Sequence, residues 1–523
     1  MSRLRLAAAL LALTPLAALA QDRALTLKRI GAVPTTGDFD AGAAEIPAYD
    51  PVSRRLFVVN AAASTIDVID LSNPAQPQRL TPISVAPFGA QANSVDVSNG
   101  LLAAAIEAPV KQDPGVVVFF NTQTLAPLST VTVGALPDMV HFTANGTYAV
   151  VANEGEPNAD YSVDPEGSVS VITVGNGTAP TVATASFARF NDQADALRAA
   201  RVRLFGPGAS VAQDLEPEYV ASEPNERLAY VTLQENNAMA EIDLANARVR
   251  EIRALGFKDH SQPGRGLDPS DRDGGIRIGN WPVLGWYMPD SVSLYRSGGE
   301  SFLVMANEGD ARDYDTFSEE ARVKDLALNP ATFPTAAALQ ADAAIGRLNV
   351  TTVNGDDDGD GQYERLYAFG ARSFSIRRTD ASLVWDSGDQ LEQITAAANP
   401  RFFNADNTEN NFDNRSDNKG PEPEGLALGR IAGRHYAFVG LERAGGVVVY
   451  DITDPTAPRF QHYLNPRDFS VDAETQLAEV GDLGPEGLIF IPRDESPNGR
   501  DLLVVANEIS GSTSIYQVQI SNR

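Results

Sequence analysis

The chain has 523 residues, 43% of them hydrophobic, with 69 acidic against 41 basic side chains and a formal net charge of −28. That balance argues against nucleic acid and anionic membrane surfaces as partners. The absence of cysteine excludes disulfides, thiolate metal sites and cysteine nucleophiles.

Residues 1–20 read as a secretory signal. Arg3 and Arg5 precede a largely apolar run from Leu6 to Leu19, and Ala18-Leu19-Ala20 fits a small-x-small cleavage pattern. The mature chain is expected to begin at Gln21 and to be secreted, periplasmic or associated with the cell envelope. No later apolar run reaches about 18 residues, so no membrane span is expected.

Downstream, short Val-, Ile-, Leu- and Tyr-rich runs are separated by Gly, Pro, Asn and Asp, an all-β pattern. Seven similar units follow one another. They open at "AEIPAYDPVSRRLFVVN", "ANSVDVSNGLLAAAIE", "PDMVHFTANGTYAVVANEGEP", "EPEYVASEPNERLAYVTLQEN", "PDSVSLYRSGGESFLVMANEGD", "EPEGLALGRIAGRHYAFVGLER" and "GPEGLIFIPRDESPNGRDLLVVANE". Each gives a strand, a turn, a second strand, a polar break and a third strand. A fourth often follows, as in "LAPLSTVTV" at 125–133. That is one blade of a propeller. The fifth unit has its outer part displaced to about 364–385, and short helices are expected at 188–200 and 317–327. The seventh lacks a fourth strand, and "ALTLKRIGAV" at 24–33 is spare. The expectation is one domain over 21–523: a seven-bladed β-propeller with insertions near 257–288 and 315–363, closed by the N-terminal strand. A β-sandwich is the competing arrangement.

Acidic residues recur at fixed phases of the repeat. Strand starts carry Glu216 and Glu218, Glu422 and Glu424, Glu486, Asp138 and Asp290; second-strand ends carry Glu154, Glu235, Glu308, Glu442 and Glu508. Converging carboxylates raise one another's pKa, and a hard cation with oxygen ligands relieves that penalty. Glu154, Glu218, Glu308, Glu424 and Glu486 are therefore candidate calcium ligands at one mouth of the ring. The competing reading is that Glu or Asn caps turn amides in each blade. A separate loop, "NGDDDGDGQYE", offers Asn354, Asp356, Asp358 and Asp360 with the spacing of the front half of a calcium loop, but Arg365 stands where its last carboxylate belongs. "DPSDRDGGI", with Asp268, Asp271 and Asp273, either binds metal or braces an insertion.

Arg312, Arg415, Lys419 and His260 lie beside acidic motifs and are candidate catalytic groups for a phosphorylated substrate, with Arg443 and Lys258 nearby. No G-x-S-x-G or Walker-type motif is present, and Ser162 and Ser416 have no visible base, so a hydrolase would rely on metal. His141, in an apolar run, reads as structural.

The motifs "VANEGEPNADYSVDPEGSVSVI", "DPSDRDGGI", "FDNRSDNKGPEPEGL" and "GPEGLIFIP" resemble the choice-of-anchor I family of exported β-propellers, described as similar to phytase-like and PhoX-like alkaline phosphatases. The resemblance covers nearly all of the mature chain. It implies a propeller with calcium held among carboxylates near one channel mouth, and phosphoric ester hydrolysis there. PhoX-like enzymes use a cysteine at an iron-containing centre, which this chain cannot supply. The alternative is a non-catalytic extracytoplasmic or cell-surface binding module stabilised by calcium; a quinone-dependent dehydrogenase fits less well, with only three Trp. The partners expected are a small phosphorylated substrate or a cell-envelope component. The terminal "YQVQISNR" carries no sorting tail, so anchoring would need a partner.

Overall fold

A computed structural model describes residues 23–34 and 37–522; the signal segment lies outside them. Seven antiparallel sheets, each built on a four-strand path, form the blades. The innermost strands are, in order, Pro47–Asp50, Ala92–Ser98, Pro137–Phe142, Pro217–Ser222, Val292–Ser297, Pro423–Ile431 and Pro485–Ile491. Each contacts the next, and the last contacts the first, so the ring closes around an axial channel.

The second strands are buried on both faces, which explains why they read as unbroken apolar runs rather than alternating ones. Leu101–Ile106 and Leu502–Asn507 are examples, the latter buried throughout. Side chains of adjacent blades interleave into shared clusters, as where Phe57, Val59, Ile66 and Val68 of blade one meet Val95, Leu102 and Ala104 of blade two.

Blade seven joins the first described strand to the last three. Arg23–Val33 pairs antiparallel with Ser512–Asn522, outside Leu502–Asn507 and Pro485–Ile491. The early strand is anchored by Leu25 and Leu27, packed with Tyr516 and Val518. Full burial of one such leucine contributes roughly 1.5–3 kcal/mol.

Blade five is interrupted as expected. Its second strand, Glu300–Asn307, pairs with Ser373–Arg378, which pairs with Leu383–Asp386. The intervening chain, joined by residues 257–286 from ahead of the blade, builds a separate layer in which Phe257–Asp259, Leu284–Trp286 and Tyr367–Ala368 form a small sheet. Val283, Val323, Ile345, Leu348 and Val350 make its core. The helix expected at 188–200 is present as a 3-10 turn, Ala188–Gln193, and a short α-helix, Ala194–Ala199. That expected at 317–327 is reduced to one 3-10 turn, Val323–Asp325, because Glu320–Arg322 pairs with Asn349–Thr351. Buried Glu319 explains the extended backbone, since it accepts from Thr351 Oγ1 at 2.5 Å and pairs with Arg203.

Candidate cation site at the acidic mouth

All seven inner strands run away from the same end of the channel. At that end five blades carry a Pro followed by an acid: Asp138, Glu218, Asp290, Glu424 and Glu486. Pro is tolerated at the first position of a strand, where its missing N–H breaks no ladder bond. In four of the five the register then slips immediately after it, while in blade five the ladder begins only at Val292. Pairing jumps from Pro137 to Met139, from Pro217 to Val220, from Pro423 to Leu426 and from Pro485 to Leu488. Each slip leaves the acid out of the ladder, and such bulges re-aim a side chain. Blade two slips at the same place and presents Asn93. The result is a cavity of about 210 Å³ on the axis, lined by Asn93, Asp138, Glu154, Glu218, Asp290 and Glu486 among others, with no Lys or Arg among the described residues of its wall.

The second strands supply an outer tier. Those of blades three, five and seven end in Ala-Asn-Glu, and the two polar residues divide the work. The Asn is a buried fastener: Asn153 donates to Ser170 Oγ at 3.0 Å and accepts from the Gly134 amide at 3.0 Å, and Asn507 donates to the Ser512 carbonyl at 3.0 Å. The Glu that follows, 154, 308 or 508, leaves the ladder and joins the mouth. Glu107 and Glu442 occupy the same place in blades two and six. Capping and convergence are thus both present, on adjacent residues.

Burial and mutual repulsion push these acids up. Burial, then Glu156, raises Asp138 to about 7; burial, then Glu508 and Asp138, raises Glu45 to about 8. Glu154, Glu218, Asp290, Glu424 and Glu486 are all raised well above the usual range, burial first and neighbouring carboxylates after. Asp290 meets Glu218, and Glu508 meets Glu486, carboxyl to carboxyl. Glu107 and Glu235 are 6% and 5% exposed, and each has one oxygen with no hydrogen-bond partner.

The basic candidates are already engaged. Lys419 Nζ lies 2.5 Å from Glu308 Oε1, 3.1 Å from Glu422 Oε2 and 2.6 Å from the Gly309 carbonyl. Arg415 Nη2 lies 2.5 Å from Glu422 Oε1, and Arg443 Nη2 3.0 Å from Glu442. Burial alone would raise Glu422, but Lys419, Arg415 and Arg443 outweigh it and hold that carboxyl at about 2. Oxygens of Glu308, Glu422 and Glu442 come within 4.8 Å of one another, yet Lys419 already bridges the first two. Arg312 is buried, pairs with Asp214 and with Glu216 at 2.7 Å, and covers the Phe205 ring at 4.7 Å. His260 lies in the inserted layer, 1% exposed, with Nδ1 2.7 Å from the Arg265 carbonyl. Burial, then Lys258 and Arg372, keeps it neutral.

In the acidic loop, oxygens of Asp356, Asp358 and Glu364 lie within 4.8 Å of one another. Gly359 and Gly361 adopt φ of 76° and 86°, folding the loop back so that Glu364 reaches the Asp357 amide at 2.9 Å. Glu364 was missed because it stands earlier than a standard calcium loop places its last ligand. Asn354 turns instead to Arg203 Nε at 3.1 Å, and Asp360 accepts from the Gln362 amide at 2.8 Å.

Fold and site together define a seven-bladed propeller with a carboxylate-lined axial mouth. The chain belongs to the choice-of-anchor I family, whose domain it matches over residues 45–455. It is similar to Gigasin-3a of Magallana gigas, 32% identical over 197 residues, which is 35% of this chain and 67% of that protein. It is also similar to the Mesenchyme-specific cell surface glycoprotein of Strongylocentrotus purpuratus, 29% identical over 327 residues, or 54% of this chain and 42% of that one. The chain therefore spans less than half the length of the second relative. Among solved structures, hydrazine synthase of Kuenenia stuttgartiensis aligns at a TM-score of 0.46 and 12% identity over 94% of this chain and 98% of that one. The WD40 domain of Toxoplasma gondii coronin aligns at 0.45 and 8% over 96% and 87%. Neither is a phytase-like or PhoX-like phosphatase, and likeness at this level carries no functional argument.

Proposed function

We propose that the chain is an extracytoplasmic or cell-surface binding module whose acidic mouth holds calcium, and that this mouth binds rather than cleaves. The observation that carries the reading is the axial cavity, with five carboxylates and Asn93 in its wall and no basic side chain among the described residues that line it. Such a set suits a hard cation, which takes six to eight oxygen ligands and offsets the repulsion that raises these pKa values. Asp138, Glu154, Glu218, Asp290 and Glu486 would hold the ion, with Glu424 beside them, and Asp356, Asp358 and Glu364 would hold a second on the surface.

Phosphoric ester hydrolysis at this mouth fits less well. A phosphate would face the carboxylates, and Arg312, Arg415 and Lys419, the groups suited to hold it, are committed to Asp214, Glu216, Glu308 and Glu422. The location rests on family membership and on the relative named as a cell surface glycoprotein. Isothermal titration of the chelated protein with calcium tests the reading, alongside assay of a generic phosphomonoester with and without calcium. Calcium uptake without turnover is expected. No uptake would sink the cation site, and calcium-dependent turnover lost in Lys419→Ala would restore the hydrolase.

A further inference from the structure

The channel has a second end. Because every inner strand runs away from the carboxylates, the last residues of those strands ring the opposite mouth. There a cavity of about 400 Å³ opens, walled by Val95, Val140, Phe142, Leu294, Leu428 and Leu488 among others, with no Lys, Arg or Glu among the described residues of its lining. Three polar residues from three consecutive blades meet in it: Asp96, His141 and Ser222. His141 Nε2 lies 2.9 Å from Ser222 Oγ, and His141 Nδ1 lies 3.6 Å from Asp96 Oδ2. Asp96 is itself fixed, accepting from the Phe142 amide on Oδ2 at 2.7 Å and from the Val97 amide on Oδ1 at 2.7 Å. Nucleophile, base and orienting carboxylate are therefore in series, the arrangement by which a serine hydroxyl is activated. Such contacts commonly tighten only once substrate is bound.

Two further features fit. Burial lowers the His141 pKa to about 4; the imidazole is therefore neutral at rest but a weak base, which the Asp96 carboxylate has to strengthen as the proton arrives. The Val220 amide points out of its own sheet, to Met139 Sδ at 2.9 Å. In a strand, residues two apart present their amides to the same edge, so Ser222 N–H faces that way too, where a developing oxyanion can be met.

We propose that this mouth is a serine esterase site for carboxylic esters with a short, uncharged, apolar acyl group. Ser222 Oγ attacks the ester carbonyl carbon while His141 Nε2 takes the hydroxyl proton. The bond to the alcohol oxygen breaks, and the alcohol leaves with that proton. Water then attacks the acyl-Ser222 ester, giving one proton to His141, which returns it to Ser222 Oγ as the carboxylic acid departs. The apolar wall accepts the acyl chain, and the lack of a cation disfavours phosphate or carboxylate substrates. This site goes beyond the calcium reading and does not rest on it.

The test uses the full purified chain with p-nitrophenyl acetate and butyrate, and a fluorophosphonate label located by peptide mass spectrometry. The expected result is label on Ser222 and measurable hydrolysis. Ser222→Ala should abolish the label and lower kcat/KM at least about 1,000-fold, and His141→Gln about 100- to 10,000-fold. Asp96, a positioning residue, should when changed to Asn lower kcat with KM little altered. Absence of label at Ser222 from the folded wild-type protein would overturn the proposal. So would a Ser222→Ala variant with native circular dichroism that hydrolyses both esters at the wild-type rate.

Discussion

Glu218 and Asp290 meet carboxyl to carboxyl in a cavity whose described lining offers neither of them a positive partner. Removing one charge from such a pair should relieve repulsion in the calcium-free protein and remove a ligand from the calcium-loaded one. Glu218→Gln is therefore expected to raise the melting temperature in chelator and to weaken calcium binding at least tenfold, read by calorimetry and titration. The pH dependence follows from the direction of the shifts. Asp138 at about 7 and Glu45 at about 8 hold protons in the folded state that the unfolded chain releases near pH 4–4.5. The calcium-free protein should then lose stability as pH rises from about 4.5 to 8, and saturating calcium should flatten that slope. A melting temperature independent of pH across this window would refute the account. The acidic repeat itself was legible in the sequence, because Pro-acid and Asn-Glu recur at one phase. What it hid was the side each residue faces. Asp138 and Glu218 reach the channel through bulges, and a bulge is a relation between two strands that one strand's letters do not carry. Asp96, His141 and Ser222 were hidden for the same reason, since each belongs to a different blade.

At the scale of the element, the Pro-Glu-Gly of the last two blades has a packing meaning. A Cβ on Gly425 would stand 1.9 Å from the Glu486 carbonyl oxygen, and one on Gly487 2.3 Å from that of Glu45. These glycines let consecutive inner strands approach while the preceding Glu turns to the axis. Gly425→Ala should destabilise the protein by about 1–3 kcal/mol and weaken calcium binding through displacement of Glu486, measured by denaturant unfolding and titration. Full stability in that variant would show the inner strands to be looser than they stand. The closing strand carries a second prediction. Leu25→Ala should cost about 2–5 kcal/mol, while a substitution at the exposed Lys28 should change little. The blade count and the spare first strand could be read from repetition alone. The extended course of 320–322 could not, because it depends on Asn349–Thr351 as a distant partner.

For the whole molecule, a net charge of −28 and a mouth of unpaired acids work against compactness, while seven interlocked interfaces hold the ring. Chelation should lower the melting temperature by several degrees and salt should partly restore it, since screening weakens repulsion among exposed charges. Scanning calorimetry at low and high ionic strength decides this, and a chelated protein indifferent to salt would place the stability elsewhere.

The shared blade sets an order on events in the life of the chain. Arg23–Val33 leaves the ribosome long before its partner, Ser512–Asn522. Blades one to six can assemble as they emerge, but the early strand must wait, apolar side chains unshielded, until all six have been made. Whatever receives the nascent chain has to guard that segment, and loss of Ser512–Asn522 would strand two edges at once, that of Arg23–Val33 and that of Leu502–Asn507.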